Sequence, residues 1–336
     1  MKPIAIHSRS GSFSDIWIEY CNKHRISFKT VNCYENNIYE QLKDCSGLMW
    51  HWSHDDYRAQ NFTRQFIKSL ELLDIKVFPN YDTAWHYDDK VGQKYLLEII
   101  NAPIIPSYVF YDYHEACRWI DTAEFPKVFK LRGGASSFNV ALVRDKIRAR
   151  KIAKRAFTKG FSSLAATSIL KERIWDIRRD RNMRSFYHLL KSLVRVLFPN
   201  QGAMLLPRQK GYVYFQDFLP DINHDTRVYI VGNKAFATTR YSRHGDFRAS
   251  GSGLKSYDHT LVDKEYLRLA FELSDKLGMQ SCAYDFLKFQ GKIFLLEISY
   301  CFGKRSLTGY WDRNLNWHED LLYPEEAIID DFVKIL

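Results

Sequence analysis

The stretch 125–140, FPKVFKLRGGASSFNV, carries the pattern that decides the fold. A short apolar run, Val128-Phe129, ends at Lys130, and Gly133-Gly134 and three small residues precede the return to apolar character at Val140. This pattern predicts a β-hairpin with a glycine tip, which can present backbone N–H groups to phosphate oxygens beside the charge of Lys130. Plain turn chemistry explains the same residues, so the stretch alone leaves both interpretations open.

Upstream of this stretch, the first 85 residues or so alternate between short apolar runs and amphipathic segments. Such alternation is typical of a parallel sheet covered by helices. The predicted strands are Ile4–His7, Ser27–Val31, Gly47–Trp50 and Lys76–Phe78, and the predicted helices are Asp15–Lys23, Ile38–Leu42 and Gln60–Leu72.

Downstream, strands and helices are mixed, and the runs before turn residues predict antiparallel pairs. The predicted helices are Asp89–Ile100, Val143–Gly160, Ser168–Leu197 and Asp263–Leu277. The predicted strands are Ser107–Phe110, Tyr212–Phe218, Arg227–Val231, Lys234–Thr239, Ser281–Leu287 and Ile293–Ser299.

Two carboxylates stand in apolar surroundings near the end of the chain. Asp285 and Glu297 are 12 positions apart, on two predicted strands joined at Gln290-Gly291. Antiparallel pairing can bring them to one face. A buried carboxylate is costly unless it is paired or binds a metal, and Mg²⁺ would bridge both to the phosphates of a nucleotide. The alternative is that each carboxylate pairs with a nearby arginine or lysine.

A group of arginines lies between these carboxylates and the glycine hairpin. Guanidinium groups suit carboxylate and phosphate oxygens, so arginines converging on one loop would suit an acyl phosphate. Surface ion pairs are the other explanation. The group comprises Arg227, Arg240, Arg243 and Arg248, with Asp225 beside them.

Composition limits the class of protein. The 336 residues suggest two domains of about 150 residues each. The chain contains no apolar run of about 18 residues, so no membrane span is predicted. Six scattered cysteines without a CxxC pair, and no signal peptide, predict a cytoplasmic protein. Residues 144–210 hold 18 Lys and Arg against 4 Asp and Glu, whereas the whole chain has a net charge of +10. This basic segment predicts an anionic partner or a solvated surface.

The order of these pieces resembles the ATP-grasp family, in its ribosomal-protein-S6-modifying glutamate-ligase-like branch. The pieces are Lys90, Lys130 with its glycine loop, QDFLPD (216–221), DTRVYIVGNK (225–234), RHGDFRASGSG (243–253) and YDFLK…LLEISY (284–300). The resemblance covers about 89–303. It implies an α/β (α+β grasp) fold class, with a small βα domain at 1–88 and a two-lobed ATP-grasp domain at 89–336. A lid subdomain would span about 125–215, with a basic insertion at about 161–210, and the C-terminal lobe would span 216–336.

The resemblance also implies roles for individual residues. ATP phosphates would contact Lys90 and Lys130 under a loop formed by Gly133, Gly134, Ala135 and Ser136. The adenine hinge would be Gln216, Asp217, Phe218 and Leu219. Mg²⁺ would be held by Asp285, Glu297 and Ser299, and the acyl phosphate would face Arg227 and Arg248. Ser299 departs from the family, which usually has Asn there, and this puts a second metal in doubt.

The function implied is an ADP-forming carboxylate–amine ligase that uses ATP and Mg²⁺ through an acyl phosphate. Three hypotheses concern the basic insertion. It could bind an acidic sugar or glycan of surface-polysaccharide biosynthesis, or it could bind an anionic membrane surface. In the third hypothesis it only packs within the lid or forms a dimer contact. A polyol kinase and a non-catalytic binder of nucleic acid or glycan are the alternative functions, although nucleic acid is not the expected partner. The oligomeric state stays open. His51 and His54 could line an acceptor site, bind a metal, or pack as loop residues near the cleft.

Overall fold

Three β-sheets organise the described part of the chain. The computed structural model describes residues 2–134, 140–162, 177, 187, 189–191, 205–243, 252–302 and 309–336. Most of the predicted helix 168–197 and most of the basic insertion therefore lie outside the described residues, as do Ala135, Ser136 and Arg248.

The first sheet is parallel, as the βα alternation predicts, and its strands lie in the order β2-β1-β3-β4. All four residues of the central strand β1 are buried, which suits a strand covered on both faces. The strands are β1 Ile4–His7, β2 Phe28–Val31, β3 Gly47–Met49 and β4 Lys76–Phe78, and the helices are α1 Phe13–His24, α2 Ile38–Leu42, α3 Tyr57–Glu71 and α4 Tyr81–Ala84.

The second sheet is antiparallel, in the order β5-β8-β6-β7. Helix α5 (Lys90–Ile99) precedes it. The strands are β5 Ser107–Phe110, β6 Lys127–Lys130, β7 Ala141–Val143 and β8 Val213–Asp217, with helices α6 Tyr113–Thr122 and α7 Lys146–Phe157. The predicted glycine hairpin is β6 with β7, in which Phe129 pairs with Ala141.

Two predicted helix starts are wrong by three residues: Gln60 for α3, which begins at Tyr57, and Val143 for α7. Val143 ends strand β7, and helix α7 begins at Lys146. The cause is local: the Asp145 side chain accepts a hydrogen bond of 2.7 Å from the N–H of Arg148, which makes Asp145 the N-cap.

The third sheet runs β13-β12-β9-β10-β14-β15, with β11 paired to β10. The strands are β9 His224–Val231, β10 Lys234–Tyr241, β11 Lys255–Ser256, β12 Ser281–Phe289, β13 Lys292–Ser299, β14 Tyr310–Trp311 and β15 Trp317–His318. A 3-10 turn (His259–Leu261) and helix α8 (Lys264–Leu277) come before β12, and helix α9 (Pro324–Lys334) ends the chain.

Strand β9 is buried on both faces of the third sheet, because its alternate residues pack into two different apolar cores. Val228 and Ile230 pack with residues of α8, whereas Tyr229 and Val231 pack with residues of α1 and α9. The second set continues along the same face to Asp225 and Arg227, since side chains alternate with a period of two. This face of β9 therefore packs into an apolar core at one end of the strand and carries charged side chains at the other end.

In the described residues, no helix has both the length and the apolar character to cross a membrane. The division at residue 88/89 remains a proposal; it falls just before α5.

Candidate functional site

A cleft of about 430 Å³ lies between the second and third sheets, beside the loops that follow β1 and β3. It brings together most of the residues singled out in the sequence. Its lining includes Lys90, Lys130, Gly134, Gln216, Asp217, Phe218, Leu219, Arg227, Asp285, Glu297 and Ser299.

Strand register places three charged residues in one row across the third sheet. Asp285 lies opposite Glu297 on β13 and opposite Arg227 on β9. The β12–β13 register shifts just after this pair, so that Phe286 faces Leu295 and Leu296 becomes the extra residue of a β-bulge. Bulges re-aim neighbouring side chains, and Leu296 and Glu297 both line the cleft.

Asp285 is held by two arginines. Arg227 donates to its two oxygens at 2.5 and 2.7 Å, and Arg240 Nη2 lies 2.8 Å from Oδ2. Arg240 also donates to both oxygens of Asp225, at 2.5 and 2.8 Å. Burial opposes the charge of Asp285, but the two guanidinium groups hold its pKa well below the usual range. The alternative pairing considered from the sequence is therefore present at this carboxylate.

Two lysines carry positive charge at the other wall of the cleft. Lys90 Nζ lies 3.1 Å from Glu297 Oε1, and the lysine side chain is only 10% exposed. Burial opposes the charge of Lys90, but Glu297 and Asp88 outweigh it and raise its pKa. Burial lowers the pKa of Lys130 to about 8, which Glu297 only partly offsets. Lys130 reaches the cleft because it shares a face of β6 with Val128.

The glycine tip differs in one respect from the expectation of free backbone N–H groups. The N–H of Gly133 donates to Gln209 Oε1 at 3.2 Å, and the N–H of Gly134 donates to Asp88 Oδ1 at 2.6 Å. The carbonyl of Gly134 accepts a bond of 2.8 Å from Lys90 Nζ. Both described glycines of the loop are thus hydrogen-bonded to side chains from other elements.

The predicted adenine hinge lies at the end of β8. Gln216 is buried, and its Nε2 donates to Ser107 Oγ at 3.0 Å. Asp217 forms an ion pair of 2.5 Å with Lys127. Phe218 and Leu219 follow the strand and line the cleft. These pairs direct the two polar side chains into the second sheet, and the backbone N–H of Asp217 donates to the carbonyl of Pro106 at 2.9 Å.

The predicted magnesium ligands fit the ion only in part. Glu297 is 34% exposed and faces the cleft, so its carboxylate is accessible. Both oxygens of Asp285 already accept hydrogen bonds from arginine. Ser299 Oγ donates to the carbonyl of Cys301 at 2.8 Å. The described residues contain no group of three His, Cys, Asp or Glu that could hold a metal. One or two carboxylates with nucleotide phosphates are nonetheless a usual magnesium environment.

The histidines near the first sheet differ in their surroundings. His51 Nδ1 accepts the N–H of Phe13 at 3.1 Å, and its Nε2 lies 3.0 Å from Cys301 Sγ. His54 lines the cleft and forms an ion pair of 2.6 Å with Asp55. The geometry thus suits the acceptor-site interpretation of His54, while His51 joins the first sheet to the segment after β13.

Sequence reasoning missed Asp88, Arg9 and Gln209. Asp88 and Arg9 line the cleft, and Gln209 holds the glycine loop. The acidic pair before Lys90 was a usable signal for Asp88. No local pattern marks Gln209, which is 76 residues from its partner Gly133.

Comparison with known proteins identifies the fold. No protein-family model and no curated protein matches the chain. A RimK domain ATP-grasp protein from Sphaerobacter thermophilus has 14% identity and a TM-score of 0.58, with 99% of each chain covered. D-alanine–D-alanine ligase from Bacillus anthracis has 13% identity and a TM-score of 0.55, covering 100% of this chain and 98% of that chain. A RiPP-associated ATP-grasp ligase from Chryseobacterium gregarium, in complex with ADP and a leader and core peptide, gives the same four values.

At these identities the comparisons establish the architecture. The chain has the ATP-grasp fold along nearly its whole length, and the predicted α/β fold class is confirmed.

Proposed function

We propose that this protein is an ATP- and Mg²⁺-dependent ligase that joins a carboxylate to an amine. The observation that carries the proposal is the convergence of Lys90, Lys130, Glu297 and Arg227 on one cleft of an ATP-grasp fold. Cations from two walls would meet the phosphates there, and Arg227 would face the reacting carboxylate. The similar structures include ligases, and one of them was solved with ADP.

The proposed reaction has two steps. An oxygen of the substrate carboxylate attacks the γ-phosphorus of ATP, which breaks the bond to the β-phosphate oxygen and releases ADP. The amine then attacks the acyl carbon, phosphate leaves, and the amine loses a proton. Lys90 and Lys130 would stabilise charge on the transferred group in the first step, and Arg227 would orient the carboxylate.

Magnesium would be held by Glu297 and Asp285, with Ser299 close by. Bound there, the ion would neutralise phosphate charge and orient the nucleotide. Arg227 and Arg240 would keep the Asp285 carboxylate ionised, which ligation requires.

The chemical class of the acceptor substrate remains open. The acidic sugar of surface polysaccharide and the membrane surface stay predictions, because the basic segment that suggested them lies mostly outside the described residues. The cytoplasmic location stays a prediction as well. Arg227 and the half-buried Arg9 favour an anionic group at the acceptor end of the cleft.

Nucleotide binding is the first test. ATP or ADP with Mg²⁺ should stabilise the protein against heat, by about 2.7 kcal/mol when the ligand is about 100-fold above its Kd. Lys130→Met should weaken ADP binding at least about tenfold, because it removes a charged hydrogen-bond donor. The exposed Lys151→Met is the matched control and should leave binding unchanged. A melt that no nucleotide shifts would reject the proposal.

Trapping distinguishes a ligase from a polyol kinase. Carboxylates, including uronic acids, are screened with ATP and hydroxylamine, which converts an acyl phosphate into a hydroxamate. We expect hydroxamate from the wild type and none from Glu297→Gln. ADP release with polyols, without hydroxamate from any carboxylate, would favour the kinase.

A further inference from the structure

Four contacts bind the segment 88–90 to the start of the glycine loop, residues 132–134. The backbone N–H of Lys90 donates to the carbonyl of Arg132 at 2.8 Å, and the Arg132 guanidinium pairs with Asp89. Lys90 Nζ reaches the carbonyl of Gly134 at 2.8 Å. The fourth contact differs from these, because in it a carboxylate, Asp88, accepts the N–H of Gly134 at 2.6 Å.

The Asp88 carboxylate sits tightly inside this loop. A Cβ atom added at Gly133 would lie only 2.8 Å from Asp88 Oδ2, so a larger residue there would displace the Asp88 carboxylate. Gly134 has φ +119°, a conformation that favours glycine as well. Both glycines therefore shape the loop around this carboxylate.

Asp88 is held in the cleft at a cost. Its own φ is +55°, in the left-handed region, where Asp and Asn are tolerated better than most residues. Burial raises its pKa, and the nearby charges of Lys90 and His54 only partly offset that effect. Among the described residues no basic nitrogen forms a salt bridge with it. A carboxylate in this setting serves as a hydrogen-bond acceptor for the loop more than as a partner in an ion pair.

A nucleotide phosphate would need the same groups. The loop N–H and the charge of Lys90 are what a phosphate oxygen would bind, and the Gly134 N–H can point at only one acceptor. Two anions in this position would also repel each other. Phosphate binding at Gly134 therefore requires that the Asp88 contact break.

We propose that the Asp88 carboxylate competes with the nucleotide phosphates for the N–H of Gly134 and so limits nucleotide affinity. This inference rests on the proposed function. Because the contact can re-form as the phosphates leave, Asp88 also speeds the release of ADP. It acts as a positioning residue, through the glycine loop.

The test compares Asp88→Asn with the wild type in calorimetric titrations of adenosine, ADP and ATP with Mg²⁺. Asparagine keeps an acceptor for Gly134 and tolerates the left-handed backbone, so the variant removes mainly the charge. ADP should bind about three- to tenfold more tightly at low salt and ATP more tightly still, while adenosine binding stays unchanged. The gain should shrink as salt rises, and stopped-flow should show slower ADP release.

Asp88→Gly is the second variant, because it also removes the acceptor without straining the backbone. It should bind ADP at least as tightly as Asp88→Asn. Asp258→Asn is the matched control, since Asp258 also accepts a backbone N–H, from Thr260 at 2.9 Å, but lies on the exposed surface. It should leave all three affinities unchanged.

The outcomes separate the two proposals. Unchanged or weaker ADP binding in both Asp88 variants, or an equal gain for adenosine, would overturn the role of Asp88 alone. If neither the wild type nor the variants bind any nucleotide, the proposed function fails and this inference fails with it.

Discussion

At the scale of single residues, Lys130 is a cleft lysine whose charge depends on its burial. It ends strand β6 and lines the cleft on the same face as Val128. Burial lowers its pKa to about 8, from an ordinary value of 10.5. A lysine that loses its proton near neutral pH can bind phosphate only after it has taken the proton back.

This predicts that ADP affinity falls as pH rises. Below pH 8 Lys130 is charged and binding needs no proton, whereas above pH 8 each binding event must take up a proton at this site. Between pH 7 and pH 9 the affinity should drop about tenfold. Titrations in two buffers of different ionisation enthalpy should also show proton uptake above pH 8. In Lys130→Arg the guanidinium stays charged, so this part of the pH dependence should vanish; an unchanged slope would contradict the assignment.

At the scale of elements, strand pairing concentrates charge at one end of the third sheet. The β9–β10 register sets Asp225 opposite Arg240, and the β9–β12 register sets Arg227 opposite Asp285. Arg240 contacts both carboxylates and is 6% exposed. A buried ion pair adds little net stability, but removal of one partner leaves a buried charge without compensation.

Arg240→Met should therefore lower the free energy of unfolding at pH 7 by about 3–5 kcal/mol. The reason is that Asp225 keeps its buried charge and loses the guanidinium that binds both of its oxygens. The loss should shrink as the pH falls and the carboxylate is protonated. Urea unfolding at pH 7 and pH 5 measures both effects.

Arg313→Met is the comparison for this prediction. Arg313 also binds both oxygens of a carboxylate, Asp275, each at 2.7 Å, but both side chains are exposed. The expected cost is below about 1 kcal/mol. Equal costs for the two variants would show that burial does not set the energy of the Arg240 network.

At the scale of the whole molecule, side chains far apart in the sequence join the first sheet to the third. Gln280, just before β12, accepts the N–H of Asn80 at 2.7 Å and donates to the carbonyl of Val77 at 3.0 Å. Trp17 Nε1 donates to the carbonyl of Glu325 at 3.1 Å. The side chain of Tyr300 enters the core of the first sheet. These contacts hold the loops after β1 and β3 beside the cleft.

Gln280→Ala should lower the free energy of unfolding by about 1–3 kcal/mol, because it leaves a backbone N–H and a backbone carbonyl without their partner. Gln41→Ala is the control: Gln41 makes side-chain hydrogen bonds to Glu35 and Asn37, but on the exposed surface. It should change stability little. Chemical unfolding measures the free energy of unfolding of both variants. An equal loss of stability in Gln41→Ala and Gln280→Ala would contradict the role of Gln280 in joining the first sheet to the third.

Much of the fold and of the site follows from local sequence. The alternation of Val128 and Lys130 with the glycines predicted the β6–β7 hairpin, and the spacing of Asp285 and Glu297 around Gln290-Gly291 predicted their pairing. Local signals suffice there because strand period and turn chemistry act over a few residues. The start of α7 was predicted three residues too early, since apolar periodicity does not mark a boundary that an N-cap sets.

The sequence by itself therefore determined the two hairpins, the residue types that converge on the cleft and the order of most elements, although helices α4 and α6 were not predicted. Only the tertiary structure decided their partners: Arg227 and Arg240 for Asp285, Asp88 for the N–H of Gly134, and Gln209 for that of Gly133. The physical reason is that these partners come from different strands, sheets and loops. Their distances are set by how the sheets pack around shared cores, and no periodicity within either segment carries that information.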